Sequence, residues 1–392
     1  MKFYFQNLSY LIPTFILSPL FYFLTFLNKR KAGGGILENG GANLKILVIQ
    51  TTKIGDIICT TPVFREIKKK YPKSHLAVLI ISRVKEILEL NHYIDEFIIL
   101  DAVRRKNFFG GLALAKEIKR KNFNWSVNFT PTLFNSILPF WAGIPNRAQI
   151  YSKLVSRAAY ICSFFSNYRY PYKQNELVLR QYLDILKFLE IKNCSENKDV
   201  FFTEDSISKA KNFLYKEGVK KDDFIIGVSL SAGNKIKEWE SENFGKLSDI
   251  LTENLGAKIV FLGSASDKNL IDKTKSVMKH RIIDSSSAFS LKELPSLIKL
   301  FKIFISVDTG PLYIANALDI PVVDIIGPFN VCEQLSLNEK CEIVSKKIYC
   351  FPCSHIIPTA HICKEGHRKC VGDITPEDVY KAIVRLKKRI YS

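Results

Sequence analysis

Five places in this chain of 392 residues pair reactive residue types with a context that would expose them. The apolar run Lys45–Gln50 opens into Thr51-Thr52-Lys53-Ile54-Gly55-Asp56. Gly55 lets the backbone turn close to a ligand. Asp56 either accepts a proton from an incoming hydroxyl or caps the helix that starts near Ile57. A second run, Ile303–Val307, ends in Asp308-Thr309-Gly310-Pro311. The free N–H groups and dipole of a helix beginning there suit a diphosphate, and Pro311 fits its first turn. Thr309 adds a hydroxyl. Asp308 repels phosphate, so it bonds the junction or a sugar hydroxyl; the plain alternative is an ordinary helix start. Two polar loops belong to the same region, Ser229–Lys237 and Gly263–Asp267. Lys237 is a point charge for phosphate, and Asp267 binds a ribose or caps a helix. Lastly, Cys350, Cys353, Cys363 and Cys370 cluster with His355, His361 and His367. The first pair has zinc-knuckle spacing, while the six residues between Cys363 and Cys370 are loose for a second pair. A structural zinc, free thiols and a disulfide all remain open. No acyl-transfer constellation surrounds these thiols.

The elements that must position these residues follow an α/β pattern. Strand-like runs at 45–50, 76–81, 96–100 and 125–129 alternate with helical periodicity, including a basic helix over 62–71. A second series has strands at 224–230, 258–263, 281–284, 303–307 and 322–326. Its helices are expected at 241–254 with Ser241 as N-cap, at 266–278, at 290–301 and at 310–318. Strands alternating with helices imply two doubly wound parallel sheets. Ligands of such sheets lie at the carboxyl ends of the strands, which in tandem domains face a cleft. The expected organisation is an apolar segment 1–31, a Gly-rich tether 32–43, and Rossmann-like domains over 44–205 and 206–375. A C-terminal helix, 376–392, is expected to pack back on the N-terminal domain.

Composition narrows the class. Apolar residues make up 47% and charged residues 24%, which excludes a disordered, collagen-like or disulfide-scaffold chain. The net charge of +19 favours polyanions, but the basic residues are spread along the chain. That argues for a solvated basic surface and against a nucleic-acid groove. Residues 8–27 carry no charge and precede Asn28-Lys29-Arg30-Lys31. About 20 apolar residues can span a bilayer, with the basic side cytoplasmic. Pro13 and Pro19 favour a kinked span or an interfacial helix, and a buried core helix is the alternative. Nine cysteines scattered over this length fit a reducing compartment. Neither a dinucleotide fingerprint nor a P-loop follows the first strand, which disfavours NAD dehydrogenases and P-loop NTPases.

Read in order, these motifs resemble those of glycosyltransferase family 9, the lipopolysaccharide heptosyltransferases. The likeness lies in residues 46–62, in Lys237-Glu238-Trp239, in the D-T-G-P stretch 308–321 and in the apolar strand and Gly-Pro of 322–328. It covers about residues 44–385. The resemblance implies a GT-B fold and inverting transfer of a sugar, heptose among the candidates. The donor would be ADP-heptose or another nucleotide-sugar, and the acceptor a lipopolysaccharide-core or related glycolipid. It implies Asp56 as general base, and Lys237, Asp267, Thr309 and Gly310 at the diphosphate or ribose, with Asp308 at the sugar or the junction. No metal or other cofactor is required by that chemistry; the family's Cys-rich segments match residues 350–370. Tyr313 stands where the family motif has His, and a phenol cannot serve as a cation. ADP-heptose therefore stays open as the donor, while sugar transfer does not depend on it. The expected place of action is the cytoplasmic face of the inner membrane. Two other readings are a nucleotide-sugar epimerase and a membrane-tethered, polyanion-binding scaffold.

Overall fold

In the computed structural model the described residues are 41–335 and 337–391, together with Ile12, Thr14, Ile16 and Pro19. The apolar segment 8–27 and the tether thus lie almost wholly outside the described residues. Among the described residues no helix is long and apolar enough to cross a membrane.

The chain forms two compact units. One runs to Asn197, and the other comprises Lys198 onward together with Glu86–Leu90. The boundary falls at 197/198 and not at 205/206. The helix Glu204–Lys216 belongs with the second unit because Ser296 Oγ donates to Ser206 O at 2.9 Å inside it.

The first unit holds a six-stranded parallel sheet in the order β3-β2-β1-β4-β5-β6. Its strands are β1 Lys45–Ile49, β2 His75–Ile80, β3 Glu96–Ile99, β4 Trp125–Asn128, β5 Asn146–Tyr151 and β6 Tyr168–Pro171. Periodicity shows only the first four. β5 reads NRAQIY, too polar for a buried run, yet Arg147 is buried in it. Its guanidinium can be, because it donates to the carbonyls of Phe165 at 2.7 Å and Pro145 at 3.3 Å. Leu47, Ile49 and Leu79 of the sheet pack against the helix Leu133–Trp141.

Helix α1, Ile54–Lys70, begins eight residues before the Pro62 start that the sequence predicts. Pro62 lies inside it and cannot donate to Ile58 O. Thr61 Oγ1 takes that carbonyl at 2.8 Å, which lets the helix run through the proline. Asp56 in the first turn and Lys68, Lys69 and Lys70 in the last complement the helix dipole.

The second unit repeats the topology. Its strands are β7 Ile225–Ser229, β8 Lys258–Leu262, β9 Ile283–Asp284, β10 Ile303–Val307, β11 Val322–Ile326 and β12 Cys341–Ser345. They lie in the order β12-β11-β10-β7-β8-β9, all parallel where paired. Counted within each unit, both sheets have the order 3-2-1-4-5-6. Helix α2, Ser241–Leu255, has Glu240 and not Ser241 as its N-cap; Ser241 is the first helical residue. The helix expected over 290–301 is regular only over Leu294–Ile298.

Two later helices complete this unit. Helix α3 spans Gly310–Ala317 and α4 spans Pro376–Tyr391. The expectation that the C-terminal helix returns to the N-terminal domain is corrected. Val379, Ala382, Ile383 and Leu386 form one stripe of α4, and they lie in the same core as Ile226, Phe261 and Ile305. The helix packs on α2, β11 and β12. Arg389 and Arg385 then reach Glu342 of β12 at 2.8 and 3.3 Å.

Gly227 shows how closely this core is filled. A Cβ there would lie 2.2 Å from the Phe301 ring and 2.9 Å from that of Phe304. Gly227→Ala should cost about 1–3 kcal/mol or more, because the central strand cannot shift away from both rings. A urea melt of the variant, with a wild-type midpoint as the contrary result, checks this.

Candidate functional site

In the first unit, β1 ends in a polar network. Gln50 is fully buried, and its Nε2 donates to Thr60 Oγ1 at 2.9 Å. Thr52 and Thr130 hydroxyls donate to its Oε1 at 2.8 and 2.7 Å. Thr51 N donates to Thr130 Oγ1 at 3.1 Å, and Asn135 Nδ2 to Thr51 Oγ1 at 2.7 Å. These bonds fix the turn that delivers Asp56. Asp56 is part-exposed at the third position of α1, whose N-cap is Lys53. Its place in the first turn suits the helix dipole, whatever further role its carboxylate has. Nearby, the fully buried Tyr182 phenol is held neutral: burial raises its pKa well above the usual value, with the charges of Asp56 and Cys59 adding to it. Tyr182 and the Gln50 network were not legible as site residues, since each stands alone in its own segment.

In the second unit, parallel register brings the carboxyl ends of β8, β7, β10 and β11 side by side. Asp308 follows β10 and is nearly buried. Lys237 Nζ donates to its Oδ2, and the Tyr313 hydroxyl lies within hydrogen-bonding reach of its Oδ1. The same hydroxyl is 2.9 Å from the Gln334 amide oxygen. Lys237 Nζ also sits 3.5 Å from the Phe329 ring centroid, a cation–π contact. The structure thus brings Lys237, Asp308 and Tyr313 into one cluster. Thr309 is the N-cap of α3, with Gly310 its first residue, and the Thr309 side chain makes no capping bond. Both are partly exposed.

Asp267 stands apart, on the turn after β8. Its carboxylate accepts from Ser264 N at 2.7 Å and Ser264 Oγ at 2.6 Å, so it caps the short helix there. Burial alone would raise its pKa, but bonds from Ser264 and Ser231 and the charge of Lys235 outweigh it and hold the carboxyl below its ordinary range.

The Lys237 loop is pinned by the C-terminal segment. Asn234 Nδ2 donates to Ala360 O at 2.7 Å, Arg368 Nη2 to Glu238 O, and Trp239 Nε1 to Ile374 O at 2.9 Å. The cysteine-rich stretch therefore acts as a clamp on the loop that carries Lys237. All nine cysteines are free thiols. Cys350, Cys353, Cys363 and Cys370 are neighbours: burial first, then the charges of the other three, pushes Cys370 up to about 11. Backbone N–H groups, that of Arg368 foremost, lower Cys363. Among the described residues, however, no three or more His, Cys, Asp or Glu are arranged to hold a metal ion. Of the three readings open for these cysteines, free thiols are what the structure describes.

Asp324 is a further residue that the sequence does not mark as part of a site. Asp324 lies in β11 at 1% exposure, and neither carboxylate oxygen has a hydrogen-bond partner. It lines one cavity with Asp308, Tyr313, Phe329, Asn330 and Gln334. A lone acid inside the apolar run VVDII was the signal available.

The profile of glycosyltransferase family 9 (heptosyltransferase) matches residues 111–361, more than half of the chain. The chain belongs to glycosyltransferase family 9. Lipopolysaccharide heptosyltransferase 1 of Campylobacter coli is 24% identical over 358 residues, 88% of this chain and 99% of that protein. A family 9 glycosyl transferase from Veillonella parvula has a TM-score of 0.75 at 23% identity, covering 88% of this chain and 97% of that one. The Escherichia coli heptosyltransferase WaaC with ADP-2-deoxy-2-fluoro heptose has a TM-score of 0.62 at 15% identity, covering 87% and 99%. The two six-stranded sheets are those of the heptosyltransferase GT-B fold. This family 9 chain is thus a heptosyltransferase-like glycosyltransferase.

Proposed function

We propose that the chain is an inverting transferase that moves a heptose or related sugar from a nucleotide-sugar donor to a glycolipid acceptor. The observation that carries the reading is the Lys237–Asp308–Tyr313 cluster at the start of α3, at the carboxyl edge of a family 9 sheet. A lysine and an uncapped helix start beside each other can neutralise a leaving diphosphate without a metal ion. In the reaction, the acceptor oxygen bonds to the anomeric carbon as the bond from that carbon to the diphosphate oxygen breaks. Asp56 takes the proton of the acceptor hydroxyl, and the nucleoside diphosphate departs. The WaaC complex with an ADP-linked fluoro-heptose makes ADP-heptose the first donor to try. Tyr313 keeps other donors in play. The acceptor is proposed to lie at the cytoplasmic membrane surface, reached through residues 8–27 and the basic surface.

Calorimetric titration with ADP-heptose and with UDP-, GDP- and CMP-sugars tests the reading. Saturable binding of one donor, followed by its turnover with a lipopolysaccharide-core acceptor and insensitivity to chelator, is expected. A folded protein that binds none of the panel would overturn it.

A further inference from the structure

Asp324 is costly as it stands. A buried carboxylate that accepts no hydrogen bond loses its hydration without replacement, which proteins tolerate only when the group is neutral or in use. The groups around it come from every neighbouring element. Asp308 follows β10, Lys237 comes from the loop after β7, and Tyr313 and Gln334 line the same cavity from α3 and the turn beyond β11. Cys341 on β12 feels its charge, with Lys198 beside that thiol. Next to Gln334, Glu333 is bonded to His355 and so already has a partner. Burial first, and the Asp308 carboxylate second, push the Asp324 carboxyl well above its usual range; Lys237 opposes both.

We propose that Asp324 is a positioning residue of the donor site: as a neutral acid behind the Lys237–Asp308 pair, it leaves Lys237 free to pass to the donor's diphosphate. With Asp324 neutral, Lys237 and Asp308 cancel, and the ammonium can be shared with an arriving phosphate. With Asp324 ionised, two carboxylates would hold the ammonium, and the trio would present a net negative charge to a dianionic ligand. Donor affinity therefore falls as pH rises through the Asp324 ionisation. The inference rests on the nucleotide-sugar reading of the site.

The sign of the stability effect is independent of any ligand. The folded chain holds this proton more tightly than the unfolded chain. Between the ordinary carboxylate range and the raised folded value, stability falls as pH rises. Asparagine at 324 carries no such loss.

The test compares wild type with Asp324→Asn from about pH 5 to about pH 9, by ADP-heptose titration and by thermal melting. Wild type should lose affinity by about tenfold per pH unit above the ionisation, while the variant shows no such loss over the same interval. The melting temperature of the variant should exceed that of wild type by a margin that grows with pH. Superimposable affinity profiles, or a variant that cannot bind donor even at low pH, would overturn the positioning role. Absence of ADP-heptose binding in both proteins counts against the donor reading instead. The melting margin then decides whether Asp324 is held neutral, and no margin at any pH would sink that.

Discussion

Asp56→Asn should lower kcat by about 10²–10⁴-fold, the range expected when a positioned general base is removed. Asparagine keeps the shape of the side chain but cannot take a proton. The fold around it should hold, because Lys53 is the N-cap of α1 and Thr60 Oγ1 bonds the backbone oxygen of Asp56, not its carboxylate. Loss of an acidic group from the first turn costs only about 0.3–1 kcal/mol. Donor affinity should stay within about twofold of wild type, since the interaction removed is made in the transition state. The measurement is single-turnover transfer at saturating donor beside calorimetric donor binding. A variant with wild-type kcat would remove Asp56 as the base. A variant that loses donor binding with kcat would make Asp56 a binding residue.

Lys237→Ala should show the second large effect, on both binding and stability. The ammonium touches Asp308 and the Phe329 ring, and all of these are largely shielded from water. Its removal leaves Asp308 with the Tyr313 hydroxyl alone, beside the unpartnered Asp324. Breaking a buried ion pair from one side costs about 3–5 kcal/mol. The loss is electrostatic: it comes from leaving the Asp308 carboxylate buried without its cation. A charge-assisted bond to the diphosphate is worth about 1.5–3 kcal/mol, which corresponds to roughly 10–100-fold in donor affinity. Urea melts and donor titration on the folded variant separate the two losses. Donor binding as tight as wild type would show that the diphosphate is neutralised elsewhere, and the helix start at Gly310 would be the next place to look.

The central strands of both sheets were legible because their residues are apolar on both faces, as β1, β7, β8 and β10 are. The strands β5, β6 and β12 were not. β5 carries Arg147, whose burial depends on carbonyls that only the folded chain supplies. The same limit applies to the site. Asp308 and Lys237 could be named from their motifs, but their bond joins residues 71 positions apart. Asp324 was hidden by its surroundings: an acid in a strand like VVDII reads as noise until the fold sets it in one cavity with Asp308. The start of α1 lies earlier than its proline suggests for a local reason. Proline normally marks a helix start, and here the Thr61 side chain replaces the hydrogen bond that Pro62 cannot make.

The stripe on α4 sets an order of assembly during synthesis. The core of the second unit includes Val379, Ala382, Ile383 and Leu386 together with Ile226 and Val228 of β7. A ribosome that has released β7 must add some 150 further residues before the lid of that core emerges, whereas the first unit has all of its strands by Pro171. At about 5–20 residues per second, the sheet of the second unit spends several seconds or more with that core only partly covered, by α2, while the sheet of the first unit is already complete. Cellular holdases that shield apolar surface should therefore engage this chain late in its translation, and mostly on its second half.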